Sequence, residues 1–329
     1  MNERSCLKIG LQIDTGGAKG FISIMGLIHL EKRLCALVSA LVDIIVGGSI
    51  GAIEAAALAT GKLSAQDLRG MMRATVPKVF TRSGLVPLYP REPFRAEWDA
   101  AIGPMKLGDV KVPLVLTAVN QCTGDMEYFT SDNSAHADLR LRDVVEYSFA
   151  APVYFGGIPD PVRKAVWLDG GTGIDGCSLL QCLRQMMRRG WLTHKGHSHV
   201  LSLGCGHYQD RISYKKATSW LGRNWRQLKL YWSHDDGGLA RRQSIADRVS
   251  FAKDLDFAFL NFSFNRLDCE IPKKMDIMDG KQFIDQYEAF GLQCAKDLDL
   301  APFQERLDQR CAELRAQSRA LHAAAGGRA

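Results

Sequence analysis

The stretch DIIVGGSIGAIEAAALA, residues 43–59, constrains the fold most. Its apolar start reads as a strand and its alanine-rich end as a helix, with only a few small residues between them. Gly47-Gly48-Ser49-Ile50-Gly51 within it matches G-x-S-x-G. In that motif a serine sits on a sharp strand-to-helix turn, and glycines two positions to either side let neighbouring elements approach closely. The positive end of the following helix then favours negative charge developing at the serine. From these residues alone two readings of Ser49 stay open: a nucleophile, or a small residue in a tight turn.

The same strand–turn–helix alternation recurs. Strands are predicted at 7–13, 43–46, 112–119, 126–130, 164–168 and 199–203. Helices are predicted at 21–38, about 50–60, 140–149, 178–190, 281–297 and 302–322. Such alternation implies an α/β fold with a mainly parallel central sheet covered by helices on both faces. Hydrophobic residues at 46% and charged residues at 24% of 329 suit a real core and exclude a disordered chain. The net charge of +6 is too small to imply a nucleic acid polymer as partner. Nine scattered cysteines without a C-x-x-C pair suggest reduced thiols, and the N-terminus lacks a signal-type apolar core. A cytoplasmic chain is expected, and with no long apolar run any membrane contact would be peripheral. No Pro/Ser-rich linker divides residues 1–329, so one domain is expected, with insertions at about 71–105 and 209–250 and a disordered tail at 323–329. The first insertion carries five prolines. The second interleaves Trp220, Trp225 and Trp232 with Arg and Lys, as either a solvated helix face or a membrane-interfacial lid.

Two further stretches could carry chemistry. Asp14-Thr15-Gly16-Gly17-Ala18-Lys19-Gly20 follows a strand and opens a helix. Adjacent glycines leave N–H groups uncovered, as a phosphate loop, an oxyanion site or a plain turn would. Trp167-Leu168-Asp169-Gly170-Gly171 brings an aspartate to the end of a strand, or simply marks a turn. His194, His197 and His199 have no acidic or thiolate partner at a matching spacing, so they read as a polar loop and no metal is expected. Cys205 reads as a packing residue.

In order, these three motifs resemble the patatin-like phospholipases, whose pattern is D-G-G-G-x-R-G, then G-x-S-x-G, then D-G-G/A. The segments SFAAPVYF (148–155), VLSLGCG (200–206) and MDIMD (275–279) extend the similarity. The resemblance implies a three-layer α/β/α sandwich and a catalytic dyad of nucleophile Ser49 and general base Asp169, with no cofactor. It implies an oxyanion hole at Thr15, Gly16 and Gly17. Asp14, Lys19, Gly20, Gly47, Gly51, Gly170 and Gly171 are the supporting motif positions. The implied activity is acyl-ester hydrolysis of membrane glycerophospholipids through an acyl-enzyme. Such an enzyme needs restraint in its own cell, and some bacterial members are antiphage effectors switched on by cyclic nucleotides. A cyclic di- or trinucleotide activator and a homo-oligomer belong to that expectation; an injected effector lipase awaiting a host cofactor is another version. Three departures stand out. Thr15 replaces the family's first loop glycine, Lys19 its arginine, and Asp175-Gly176-Cys177 its frequent Asn-Asn-Pro. The competing expectation is a lipid-binding or regulatory protein that keeps the fold without turnover.

Overall fold

The computed structural model describes residues 6–172, 176–193, 197–208, 214–219, 239–259 and 261–326. Its strands are β1 (Lys8–Ile13), β2 (Ile44–Gly48), β3 (Leu114–Asn120), β4 (Met126–Thr130), β5 (Ile158–Asp160), β6 (Ala165–Asp169), β7 (Ser198–Leu203) and β8 (Phe262–Leu267). The helices up to the middle of the chain are α1 (Phe21–Leu34), α2 (Val38–Leu41), α3 (Ile50–Ala59), α4 (Ala65–Val79), α5 (Glu92–Ala101), α6 (Ser134–Ala137) and α7 (Leu141–Ser148). There follow α8 (Leu179–Arg188), α9 (Tyr214–Thr218), α10 (Leu239–Ala258), α11 (Ile284–Cys294) and α12 (Ala301–Gly326).

The eight strands form one sheet in the order β5-β6-β3-β2-β1-β7-β8, with β4 also on β3. Strands β3, β2, β1, β7 and β8 are parallel. The remaining pairs are antiparallel, so the sheet is parallel at its centre and mixed at one edge. The central strands are apolar on both faces, as a sheet covered on both sides requires. Ile9, Leu11 and Ile13 of β1, with Ile45 of β2, face the larger core, which α1, α3, α4, α5, α7 and α11 cover. Ile44 and Val46 of β2 face the opposite core with Leu183 and Met186 of α8 and Ala252 of α10. The result is a three-layer α/β/α sandwich.

Several boundaries move from their sequence positions. β2 runs on through Gly47 and Gly48, because both pair with β3, and the turn contracts to Ser49 alone. The predicted helix 21–38 stops at Leu34, where Cys35 takes a left-handed conformation at φ 49°. β5 and β8 are strands that the periodicity did not announce. Residues 71–105 are more regular than their prolines suggest. A capping box between Ser64 and Asp67 starts α4, Pro77 falls near its end, and Pro93 sits in the first turn of α5, where it is tolerated. Of the basic–aromatic segment, α9 and the start of α10 are described; Trp220, Trp225 and Trp232 lie outside the described residues, as do residues 327–329 of the tail. Among the described residues no helix is long and apolar enough to cross a membrane.

Candidate active site

Ser49 links β2 to α3 with φ 54° and ψ −123°, a left-handed backbone that costs a non-glycine residue on the order of 1–3 kcal/mol. Its flanking glycines are required sterically. A Cβ at Gly47 would lie 2.2 Å from the Gly51 carbonyl oxygen, and one at Gly51 would lie 2.6 Å from the carbonyl oxygens of Ile13 and Asp14. The motif is thus a three-way backbone contact between the end of β2, the head of α3 and the end of β1. The Ser49 N–H donates to Ser148 Oγ (3.0 Å), whose own hydroxyl donates to the Thr117 carbonyl (2.6 Å).

Strand register brings Asp169 to the serine. β2 ends with Gly48 opposite Thr117 of β3, and the next β3 residue, Ala118, pairs with Asp169 of β6. β4 takes the other edge of β3, so β6 occupies the edge that β2 has vacated. Asp169 therefore arrives on an antiparallel strand rather than on a parallel neighbour. Ser49 Oγ donates to Asp169 Oδ2 at 2.6 Å, and the Gly171 N–H donates to Asp169 Oδ1 at 2.6 Å. Both Ser49 and Asp169 are buried. Gly170 allows β6 to end against β3: a Cβ there would lie 2.4 Å from the Thr117 carbonyl oxygen.

The glycine loop reaches the same point because Ile13 of β1 pairs with Gly47. The Thr15 N–H donates to the Gly176 carbonyl (3.1 Å), and the Thr15 hydroxyl contacts the same oxygen at 3.1 Å. The threonine side chain thus turns toward Gly171 and Gly176, not over the glycines. The N–H groups of Gly16 and Gly17 donate no hydrogen bond among the described residues. Of the three amides expected in an oxyanion hole, these two are free to serve, whereas that of Thr15 is occupied. Gly17, at φ 58°, lies beneath Met278, and the Ala18 N–H donates to the Met278 carbonyl at 2.8 Å. Lys19 is buried and holds Asp276 at 2.5 Å. MDIMD (275–279) is thereby a strap across the loop. Its far end is held by the Tyr89 hydroxyl, which donates to Asp279.

Asp14 anchors the other side of the loop. It accepts from Gln12 Nε2 (2.8 Å) and from Arg266 Nη2 (2.6 Å), and Arg266 also binds Asp268 (2.7 Å). Burial disfavours the Arg266 charge, but the two carboxylates more than offset it. Burial likewise pushes Asp268 up, yet Arg266 and His207 prevail and hold it at about 2. Arg266 is a site-building residue that local sequence signals did not reveal; a charged residue inside the β-like run FSFNRL was its only trace.

An apolar cavity of about 50 Å³ opens beside Ser49 and Asp169. Ile53, Met72, Val76 and Val79 line it together with Phe80, Phe94, Phe149 and Phe155, whose rings pack on one another. Met72, Thr75, Val76, Val79, Phe80 and Phe94 of this wall come from segment 71–105, read from sequence as an insertion on the sheet. The Ser64–Asp67 box was the available signal for helix α4 that carries the first four of them. Cys205 packs against Gly16, and burial pushes its thiol up, which suits packing rather than nucleophilic chemistry. His199 is buried against Phe303 with Nδ1 2.8 Å from Ser263 Oγ, and burial lowers it to about 4. His194 and Asp175 lie outside the described residues. No group of three metal-ligating side chains occurs among the described residues.

A family model described as patatin-like phospholipase matches residues 11–177, which include the glycine loop, Ser49 and Asp169. A cGAMP-activated phospholipase from Escherichia coli (strain TW11681) is 29% identical over 218 residues, covering 59% of this chain and 61% of the relative. Another cGAMP-activated phospholipase, from Vibrio cholerae serotype O1, is 28% identical over 190 residues, covering 49% of this chain and 53% of the relative. The chain thus matches only about half to three-fifths of the length of these curated relatives. The crystal structure of VipD from Legionella pneumophila overlays with a TM-score of 0.42 at 14% identity, over 86% of this chain and 66% of that one.

Proposed function

The chain belongs to the patatin-like phospholipase family, and from that premise we propose that it is a serine acyl hydrolase of membrane glycerophospholipids. The observation that carries the reading is the 2.6 Å contact of Ser49 Oγ with a buried Asp169 whose other oxygen is fixed by Gly171. Ser49 Oγ attacks the ester carbonyl carbon, and its proton passes to Asp169 Oδ2. The tetrahedral oxyanion is held by the Gly16 and Gly17 amides, which donate to no other group among the described residues; losing one such donor typically costs on the order of 10²–10³ in rate. Collapse expels the lysolipid alcohol, which takes the proton from Asp169, and leaves Ser49 acylated. Water, giving a proton to Asp169, then attacks the acyl carbonyl; as the Oγ–acyl bond breaks, Asp169 returns that proton to Ser49 and the fatty acid leaves.

The apolar cavity is the natural berth of the acyl chain, but ligand pockets usually run to about 300–1,000 Å³, and this one holds about 50 Å³. A cavity this small supports an enzyme restrained until triggered. The trigger class we propose is a cyclic di- or trinucleotide in antiphage defence, because the two bacterial relatives are named for activation by cGAMP. The protein would then act peripherally on the inner face of the membrane. The test measures fatty acid released from mixed phospholipid vesicles, with and without a cyclic-nucleotide panel, by the wild type and Ser49→Ala. Release that depends on Ser49 sustains the reading. A wild type that binds vesicles yet releases nothing under any condition favours a lipid-binding protein instead.

A further inference from the structure

Helix α3, which Ser49 heads, is buried along its whole length, and its single ionisable residue is Glu54. Glu54 is 0% exposed, and Ser23 is its hydrogen-bond partner. Ser23 Oγ lies 2.8 Å and 3.0 Å from the two Glu54 oxygens and 2.7 Å from the Gly20 carbonyl. A hydroxyl has one hydrogen, so Ser23 cannot donate to Gly20 and to Glu54 together. A neutral Glu54 resolves this: its O–H donates to Ser23 Oγ, and Ser23 donates to Gly20. The loop and helix also touch directly here, since a Cβ at Gly20 would lie 2.5 Å from Glu54 Oε1 and 2.5 Å from Ile50 Cγ1.

We infer that Glu54 is a positioning residue, held as the neutral acid, which acts through Ser23 to set the spacing of glycine loop 16–20 from Ser49. A buried carboxylate without a cation is costly, so the group stays protonated instead. Burial accordingly pushes the Glu54 carboxyl well above its ordinary range, and the Ser23 bond only partly opposes it. The other titratable groups packed nearby are Cys205, after β7, whose thiol burial also raises, and Lys19, already paired with Asp276. When Glu54 ionises, Ser23 turns its hydrogen to the carboxylate and releases Gly20. The relay from the loop is then broken at Gly20, while Ser23 itself stays bonded to Glu54 on the helix that carries the nucleophile. Gln at this position keeps a neutral donor of the same shape, whereas Leu removes the donor.

This inference rests on the acyl-transfer reading for its catalytic consequence alone. Two measurements on the full chain separate them. The first is deuterium exchange of the loop amides, corrected for intrinsic rates, from about pH 5 to about pH 10. The wild type should lose loop protection on the alkaline side, Glu54→Gln should keep it, and Cys205→Ser should behave as the wild type. The second is the rate at which a fluorophosphonate labels Ser49. It should fall alkaline in the wild type but not in Glu54→Gln, and Glu54→Leu and Ser23→Ala should label about 10- to 100-fold slower at neutral pH, as a misplacement near 1 Å does. An alkaline loss equally present in Glu54→Gln, or a wild-type loop protected throughout, overturns the assignment. A wild type that is never labelled sinks the acyl-transfer reading while the exchange data still decide the role of Glu54.

Discussion

Replacing Gly51 by alanine tests the geometry behind the nucleophilic role proposed for Ser49. The new Cβ would lie 2.6 Å from two backbone oxygens, those of Ile13 and Asp14, where ordinary contact begins at 3.4 Å. One belongs to the last residue of β1 and the other to the residue after it, whose N–H is bonded to Leu203 of β7, so the head of α3 must retreat by about 0.8 Å. Overpacking of this kind costs about 1–3 kcal/mol, and alanine's better helix propensity returns at most about 1 kcal/mol. Against an unyielding backbone the net expectation is a loss of about 2 kcal/mol. The same shift pulls Ser49 from Asp169, now 2.6 Å away, and displacements near 1 Å can cost about 10²-fold in rate. Gly70 of α4 is the control, since a Cβ there meets nothing within 4 Å. Gly70→Ala should stabilise by about 0.5–1 kcal/mol and leave the rate unchanged. Urea unfolding gives the stabilities, and fluorophosphonate labelling gives the reactivity of Ser49. If both variants shift stability in the same direction, or if Gly51→Ala labels at the wild-type rate, the three-way backbone contact does not do what is argued here.

Two other outcomes follow. Lys19→Met leaves Asp276 an unpaired, largely buried carboxylate and should destabilise by about 3–5 kcal/mol in chemical denaturation, whereas Lys19→Met with Asp276→Leu should recover most of the loss; equal losses in both would remove the ion pair as the anchor of the strap. Asp268, lowered from 3.8 to about 2 in the fold, contributes about 2 kcal/mol that is present above its unfolded value and fades as pH falls through about 2. Asp268→Asn should therefore flatten the acid limb of stability in pH-dependent melting, and an unchanged limb would refute this.

The residues of the site were legible where chemistry is local. A serine between glycines, a strand before it and a helix after it are all encoded within a few positions, and Asp169 with its two glycines is likewise a short signal. What the sequence does not carry is how distant segments meet. Asp169 reaches Ser49 because β6 runs antiparallel along the edge of β3 beyond Gly48, a register that no single stretch specifies. β8 reads poorly as a strand because Asn265 and Arg266 interrupt its apolar pattern, and it is Asp14, Asp268 and Ser202 in the folded chain that make that arginine tolerable inside. Five prolines disguised the helices of 71–105, since a proline near a helix end or in its first turn costs far less than one in the middle. Thr15 stands where the family pattern has a glycine, and the folded chain turns its hydroxyl to Gly176.

The central claim is that Ser49 and Asp169 together hydrolyse phospholipid acyl esters. The most direct measurement is fatty acid release from mixed phospholipid vesicles by wild type, Ser49→Ala and Asp169→Asn, each with and without a panel of cyclic di- and trinucleotides. The account expects release by the wild type, enhanced by at least one member of the panel, and a loss of at least on the order of 10³-fold in either variant. Release by Ser49→Ala or Asp169→Asn at the wild-type rate would contradict it.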